Sequence, residues 1–461
     1  MASVRNLGCG QLAMLAALGL FAGAATPAQA ADLGGDCCAD LEERIAELEA
    51  TTVRKGNRKV KLEVSGHVNE AIMIWDDGDE QNAYVVTNDN ARTRFRFKGE
   101  AKIDADWKAG YLLEIGLRTA HSGRFTQDDD SGDGAGLLDI RHSVWYLDNK
   151  SYGRLWVGLT GGASEGITEI NQAATKDVLK YSDPEDTGLG LFLKSDGVTL
   201  GTGSGATATG FQWRRLLRDN GNQPGEGRRY NLVRYDTPEL MGFTGTAAWG
   251  EDDTWDVGIR YKGEFGDFKL AAGIAYGENT DGTGQTGFQC VGNISSTGAG
   301  DRDCEQLGGS ASVMHSPSGI YVNFAAGYLE DNFIEGDTGV LVPVAARDDR
   351  HTFYAGEIGI EQKWNSLGKT TIFGQYFMNE GGTQDRDVRL GIGGVNQGDV
   401  QDSELESFGV GIVQGIDAAA MHVYLTYRHY EGEVTANNAG VVTDFDLDDL
   451  DVVMGGAIIR F

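Results

Sequence analysis

The sequence predicts an all-β protein: a transmembrane antiparallel β-barrel of 16 to 18 strands, preceded by a short N-terminal periplasmic helix. Three observations carry this. Apolar residues alternate with polar or small ones in segments of about 9 to 11 residues, the length of a tilted bilayer crossing. Short turns alternate with long polar loops, so one rim is tight and the other elaborate. Mean hydropathy is −0.31, and no apolar run long enough for a membrane helix follows the N-terminal segment.

The 461 residues include 68 glycines and only 6 prolines, which points away from proline-rich disorder. Acidic side chains number 69 and basic ones 39, a net charge of −30 that argues against a nucleic-acid partner. Residues 1–30 carry Arg5, an apolar stretch from Leu12 to Ala25, and Ala28-Gln29-Ala30, the small-x-small form of a signal-peptidase site. Cleavage there also removes Cys9. In the oxidising compartment beyond, Cys290 and Cys304 share one polar segment, and a bridge between them contributes about 3 kcal/mol. Adjacent Cys37 and Cys38 are expected to stay free or to link chains.

Residues 31–59 read as a coiled-coil helix and a basic neck. Leu41, Ile45 and Leu48 fall at i, i+4 and i+7 among glutamates. A helix this short is marginal alone in water, so its seam needs a partner, either the same helix in other copies or its own domain. Arg54, Lys55, Arg58, Lys59 and Lys61 then form the one dense basic cluster in the chain, read as a solvated linker or a contact for an anionic polymer such as peptidoglycan.

From residue 60 to 461 the period is 2. In Trp107 to Arg118 the odd positions are apolar and the even ones mostly polar or small; Trp255 to Lys262, Phe268 to Tyr276 and Met421 to Arg428 repeat the pattern. Trp75, Trp107, Trp249, Trp255, Trp364 and Tyr430 are candidates for interfacial girdles. Hairpin counting gives 18 strands if the glycine-rich Val198–Leu217 supplies a pair and 16 if it does not; either encloses a water-filled interior. Arg92, Arg94, Arg96 and Lys98 share one face of their strand, and Arg118, Arg141 and Arg234 take inward parities on theirs. Guanidinium at the lipid midplane costs about 2 to 4 kcal/mol, so these groups are expected to line water.

The post-signal Cys37-Cys38-Ala39-Asp40-Leu41-Glu42-Glu43-Arg44, the neck Arg54-Lys55-Gly56-Asn57-Arg58-Lys59-Val60, Thr93-Arg94-Phe95-Arg96-Phe97, Tyr230 to Pro238 and the terminal Phe461 resemble the alphaproteobacterial general porin family. The resemblance covers essentially the whole mature chain. It implies a homotrimer in the outer membrane of a Gram-negative bacterium, in contact with lipid and lipopolysaccharide, that passes ions and small hydrophilic solutes passively. It further implies a third extracellular loop folded inward. The loop expected in that place, about residues 160–197, carries Glu165, Glu169, Asp177, Asp183, Glu185 and Asp186. Folded inward, these carboxylates oppose the arginines across water and set up a transverse field with a modest preference for cations.

No catalytic residue, cofactor or metal site is expected. The run Asp128 to Gly134 offers carboxylates but lacks the closing glutamate of a calcium loop, leaving weak divalent bridging to lipopolysaccharide. His142-Ser143 has no paired acid, and no phosphate loop or nucleophile elbow occurs. The competing reading is a structural anchor that tethers the envelope through its coil and neck.

Overall fold

The computed structural model describes residues 60–130, 138–202, 209–217, 223–250, 253–280, 304–331, 350–381, 389–393 and 395–461. The signal segment, Leu41, Ile45 and Leu48, the basic neck to Lys59, Cys37, Cys38 and the Ser131–Gly134 part of the acidic run lie outside the described residues. Cys304 is disulfide-bonded; Cys290 lies outside them too.

Sixteen strands form the wall: β1 Lys61–Asp76, β2 Arg94–Lys102, β3 Trp107–Leu117, β4 Leu138–Asn149, β5 Gly153–Gly161, β6 Arg229–Asp236, β7 Phe243–Gly250, β8 Thr254–Phe265, β9 Phe268–Asn279, β10 Cys304–His315, β11 Ile320–Asp331, β12 Arg350–Gln362, β13 Thr370–Glu380, β14 Val395–Ile416, β15 Met421–Asn438 and β16 Leu450–Arg460. Each pairs antiparallel with the next, and β16 returns to β1 from His67↔Arg460 to Asp76↔Asp451. The ring is closed: among the described residues every one of these sixteen strands has a neighbour on both sides. At the seam Gly66 and Phe461 exchange backbone hydrogen bonds of 2.9 and 3.1 Å. A Cβ on Gly66 would stand 2.7 Å from the Phe461 ring, so a glycine is what lets the terminal aromatic lie there.

Sixteen is the lower of the two expected counts. The segment from Val198 does form a hairpin, but its strand Val198–Thr202 pairs with the short strand Arg389–Ile392 above the wall and never enters the ring. The inward loop therefore runs from 162 to 228, well past residue 197, because that hairpin belongs to it.

Two opposite surfaces follow from the alternation. Outward rows such as Val322 and Phe324 on β11, or Phe408, Val410 and Ile412 on β14, are 40 to 56% exposed. Apolar rows left bare in water are an aggregation liability; facing hydrocarbon they are the stable arrangement. Inward positions between such rows are buried and polar: Asn323, Glu357, Gln375, Arg428. Trp107, Trp249 and Trp364 point outward as expected for girdles. Trp75 and Tyr430 do not: both are almost fully buried inside the ring, in the apolar cluster that the inward loop makes with the wall.

That cluster explains the loop's position. Leu189, Leu191, Leu193, Phe211, Trp213, Leu216 and Leu217 pack on Trp75, Val86, Tyr430, Val434 and Val452, one patch of wall near the long-loop rim. A buried backbone also needs hydrogen-bond partners, and wall side chains supply them. Asn88 donates to Val178 O (2.9 Å), Gln375 to Leu179 O (2.8 Å), Arg428 to Lys180 O (2.7 Å) and Tyr430 to Thr187 O (2.6 Å), while Asp256 accepts from the Ser164 N–H at 2.8 Å. On its way back the loop passes Gly225 (φ +80°) against Gly308 of β10, where any side chain would collide with backbone.

Candidate functional site

The loop leaves a cavity of ≈ 560 Å³ between itself and the wall of β2 to β4. On the wall side, antiparallel register sets Arg96 of β2 opposite Glu114 of β3. Glu114 is fully buried and accepts from Arg141 Nε at 2.8 Å, from Arg94 Nη1 at 3.4 Å, and from Arg96 at close range. One carboxylate thus holds three guanidiniums in a row. Arg141 reaches it through a β-bulge: the pairing of β3 with β4 steps from Glu114↔His142 to Ile115↔Ile140 and leaves Arg141 as the extra residue. A bulge re-aims side chains, and here both Arg141 and His142 turn inward.

Arg92, one turn before β2, bonds Asp89 at 2.8 Å and Asp139 at 2.6 Å, and Arg118 lies 3.5 Å from the same Asp89. Asp89 belongs to a 3-10 turn capped by the Asn88 side chain, which accepts from the Asn90 N–H at 3.1 Å. His121 Nε2 faces Asp89 at 3.0 Å, while its Nδ1 accepts from the Gly123 N–H at 3.0 Å.

Every predicted acid of the loop lines the cavity, and each has a basic neighbour. Glu165 pairs with Arg229, Glu169 with Lys180 at 2.7 Å, Asp177 with Arg460 at 2.6 Å and Glu185 with Arg124 at 3.1 Å. Lys180 also takes Asp183 at 2.8 Å and Asp186 at 4.0 Å. One ammonium cannot balance three carboxylates, two of them buried. Burial, with Asp186, Glu169 and Glu185 adding repulsion, pushes the Asp183 carboxyl up to about 7 despite Lys180. Glu226 accepts from the Thr168 N–H at 3.0 Å and its hydroxyl at 2.6 Å, fastening the two ends of the loop. Burial and the nearby Glu169 push its carboxyl up to about 8.

Of the predicted basic residues, Arg92, Arg94, Arg118 and Arg141 line this cavity. Arg96 stays on the ladder through Glu114 but lies beyond the cavity lining. Arg234 is elsewhere: it points inward, donates to Asp236 at 2.8 Å, and lines a second cavity of ≈ 470 Å³ at the short-turn rim with Arg154 and Arg260. The sequence reading missed Glu114, Lys180, Arg228 and Arg229. Glu114 carried a signal, being an acid on the polar face of an alternating strand; Lys180 and Arg228 lie in segments without periodicity and carried none, and Arg229 is only the first residue of β6.

Among the described residues, nine basic and nine acidic side chains line the cavity. Opposed charge in a wet, open tube attracts and releases solutes of either sign without holding them.

The sequence matches the Gram-negative porin family over residues 13–449. No curated protein matches it. Among solved structures, the anion-selective porin from Comamonas acidovorans is 13% identical, with 87% of this chain and 100% of that one aligned and a TM-score of 0.50. OmpT, an outer membrane protein of Vibrio cholerae, is 11% identical over 89% of this chain and 100% of its own, with a TM-score of 0.48. OmpF of Salmonella typhi, in complex with daunomycin, is 15% identical over 87% and 98%, also at 0.48. At 13% identity the likeness to the Comamonas porin is one of fold.

Proposed function

The chain belongs to the Gram-negative porin family, and from that premise we propose which residues set the properties of its channel. The protein is an outer-membrane porin, a water-filled channel for passive diffusion of ions and small hydrophilic solutes. We assign its constriction to the inward loop 162–228 facing the ladder of Arg92, Arg94 and Arg141. The observation that carries this assignment is the cavity between them, lined by nine basic and nine acidic side chains. So even a balance gives weak ion selectivity in place of the modest cation preference expected from the loop acids alone. Because Asp183 and Glu226 gain protons as pH falls through about 7 to 8, the lining turns net positive there and favours anions.

Purified protein in a planar bilayer tests the reading. Stepwise, ohmic conductance whose reversal potential in a salt gradient moves toward anions between pH 9 and 6 is the expected result. A conducting channel with a pH-independent reversal potential would remove the loop from the constriction. A silent bilayer would favour the envelope anchor.

The residue stretches of the alphaproteobacterial general porins support placement in that subfamily and, with the Leu41, Ile45 and Leu48 seam, a homotrimer that sits in lipid and lipopolysaccharide with its neck toward peptidoglycan. Their closeness in sequence supports Cys290 as the partner of Cys304, which mass mapping of unreduced peptides checks.

A further inference from the structure

Two groups of metal-ligating side chains occur among the described residues, Asp89–His121–Asp186 inside the ring and His429–Glu431–Asp449 outside it. Chemistry separates them. In the first, the Gly123 N–H donates to His121 Nδ1, so the ring proton sits on Nε2, the nitrogen a metal would need, and Arg92 and Arg118 already press on Asp89. A cation gains nothing there.

The second group is arranged the other way round. On β15 the residues Arg428 and Tyr430 reach inward to the loop, so Tyr427, His429 and Glu431 share the outward face. Register places His429 opposite Asp451 of β16. The imidazole Nδ1 lies 2.8 Å from Asp451 Oδ1, which also accepts the Tyr427 hydroxyl at 2.6 Å. Its Nε2 faces Glu431 Oε1 at 3.0 Å and Asp449 Oδ2 at 4.0 Å.

We propose that His429 Nε2, Glu431 and Asp449 bind a divalent transition cation of the zinc class on the outer surface of the wall, with Asp451 and Tyr427 as positioning residues. Two ligand atoms on a tetrahedral zinc, each about 2.0 to 2.1 Å from it, stand roughly 3.3 Å apart. The separations of 3.0 and 4.0 Å bracket that value. A carboxylate on the far ring nitrogen is the usual companion of a metal-bound histidine, because it fixes the tautomer that leaves Nε2 with a lone pair. The imidazole also selects the class: oxygen-seeking magnesium and calcium gain little from it, zinc gains much. Binding displaces any proton held on Nε2 to solvent and leaves the fourth position to water. Glu406, opposite Glu431 in register, adds negative potential that draws cations to this face.

The test uses the full chain purified in detergent, titrated calorimetrically with zinc chloride in millimolar magnesium. One zinc per chain is expected to bind despite the magnesium. His429→Ala should weaken it at least about 100-fold, and Asp451→Asn, which leaves all three ligands in place, by about 10- to 100-fold. Cobalt(II) in place of zinc should give the visible absorption of a four-coordinate site in the parent and none in His429→Ala. Single-channel conductance of both variants, whose changes lie outside the lumen, shows that they fold. Zinc binding abolished by magnesium, or retained unchanged in His429→Ala, would overturn the site; the second result would put the ion on the acidic loops.

Discussion

The two sides of the constriction carry the same kinds of charge but hold them in different ways. On the wall, Arg94, Arg96 and Glu114 are placed by strand register, and two or three backbone ladders would have to shift for any one of them to move. On the loop, Glu165, Glu169 and Asp183 are placed by side-chain contacts: an apolar patch under Leu189 to Leu193 and Phe211 to Leu217, and wall side chains that bind loop carbonyls. The wall fixes where charge is. The loop fixes how narrow the passage is, and its position rests on separate side-chain contacts in place of a ladder.

The largest effect should come from releasing the loop. Buried Glu357 of β12 accepts from Thr175 (2.9 Å) and Asn171 (3.2 Å) of the loop and from Asn323 (2.9 Å) and Gln375 (2.5 Å) of the wall. Hydrogen bonds to a charged group contribute about 1.5 to 3 kcal/mol each when the partner is otherwise stranded. Glu357→Ala should therefore lower the melting temperature and raise both the size and the noise of single-channel steps. Steps of parental size and quietness would mean that the apolar patch alone suffices to seat the loop.

Neutralising the wall comes next. Glu114→Gln strips the counter-charge from three guanidiniums without opening the ring, and a unit charge at about 10 Å is worth about 0.4 kcal/mol at bulk dielectric, roughly twofold in the weight of each ion. Reversal potentials should shift toward anions at unchanged step size. A shift toward cations would reverse the assignment of the ladder.

On the loop side, Glu165→Gln with Glu169→Gln unpairs Arg229 and loosens Lys180, so anions should again gain, by an amount similar to or below that of Glu114→Gln. An unaltered reversal potential would show that this end of the loop stands away from the ion path.

The smallest effect is that of pH. Moving from pH 9 to 6 crosses the raised values of Asp183 and Glu226, adds up to two protons to the lining, and favours anions. In Asp183→Asn part of that swing should disappear; a full swing in the variant would assign the titration to other groups.

The same contrast governs what the sequence reveals. Strands were legible because lipid and water impose a period of 2 on every crossing, and the ladder was legible because guanidinium is excluded from lipid. The inward acids were identified by the resemblance, and their cations escaped notice because a loop placed by contacts has no period to read. Alternation also misleads where the lumen itself is apolar: Trp75 and Tyr430 have the composition of a lipid-facing girdle but cover the loop. Val198–Thr202 is a candidate wall strand by sequence, yet it pairs with Arg389–Ile392 and stays out of the ring. The Arg141 bulge is a local geometry that kept the expected inward aim while turning His142 inward as well.

The hydrogen bonds between Gly66 and Phe461 join the first wall strand to the residue that follows the sixteenth. Every other neighbour in the ring is near in sequence, apart from the step across the inward loop, so hairpins form cheaply as the chain emerges, whereas this last contact closes a loop as long as the barrel itself. Until β16 docks, one edge of β1 stands unpaired and prone to pairing with any stray strand. Closure is thus the least local step of the fold, and a barrel caught before it presents a bare strand edge.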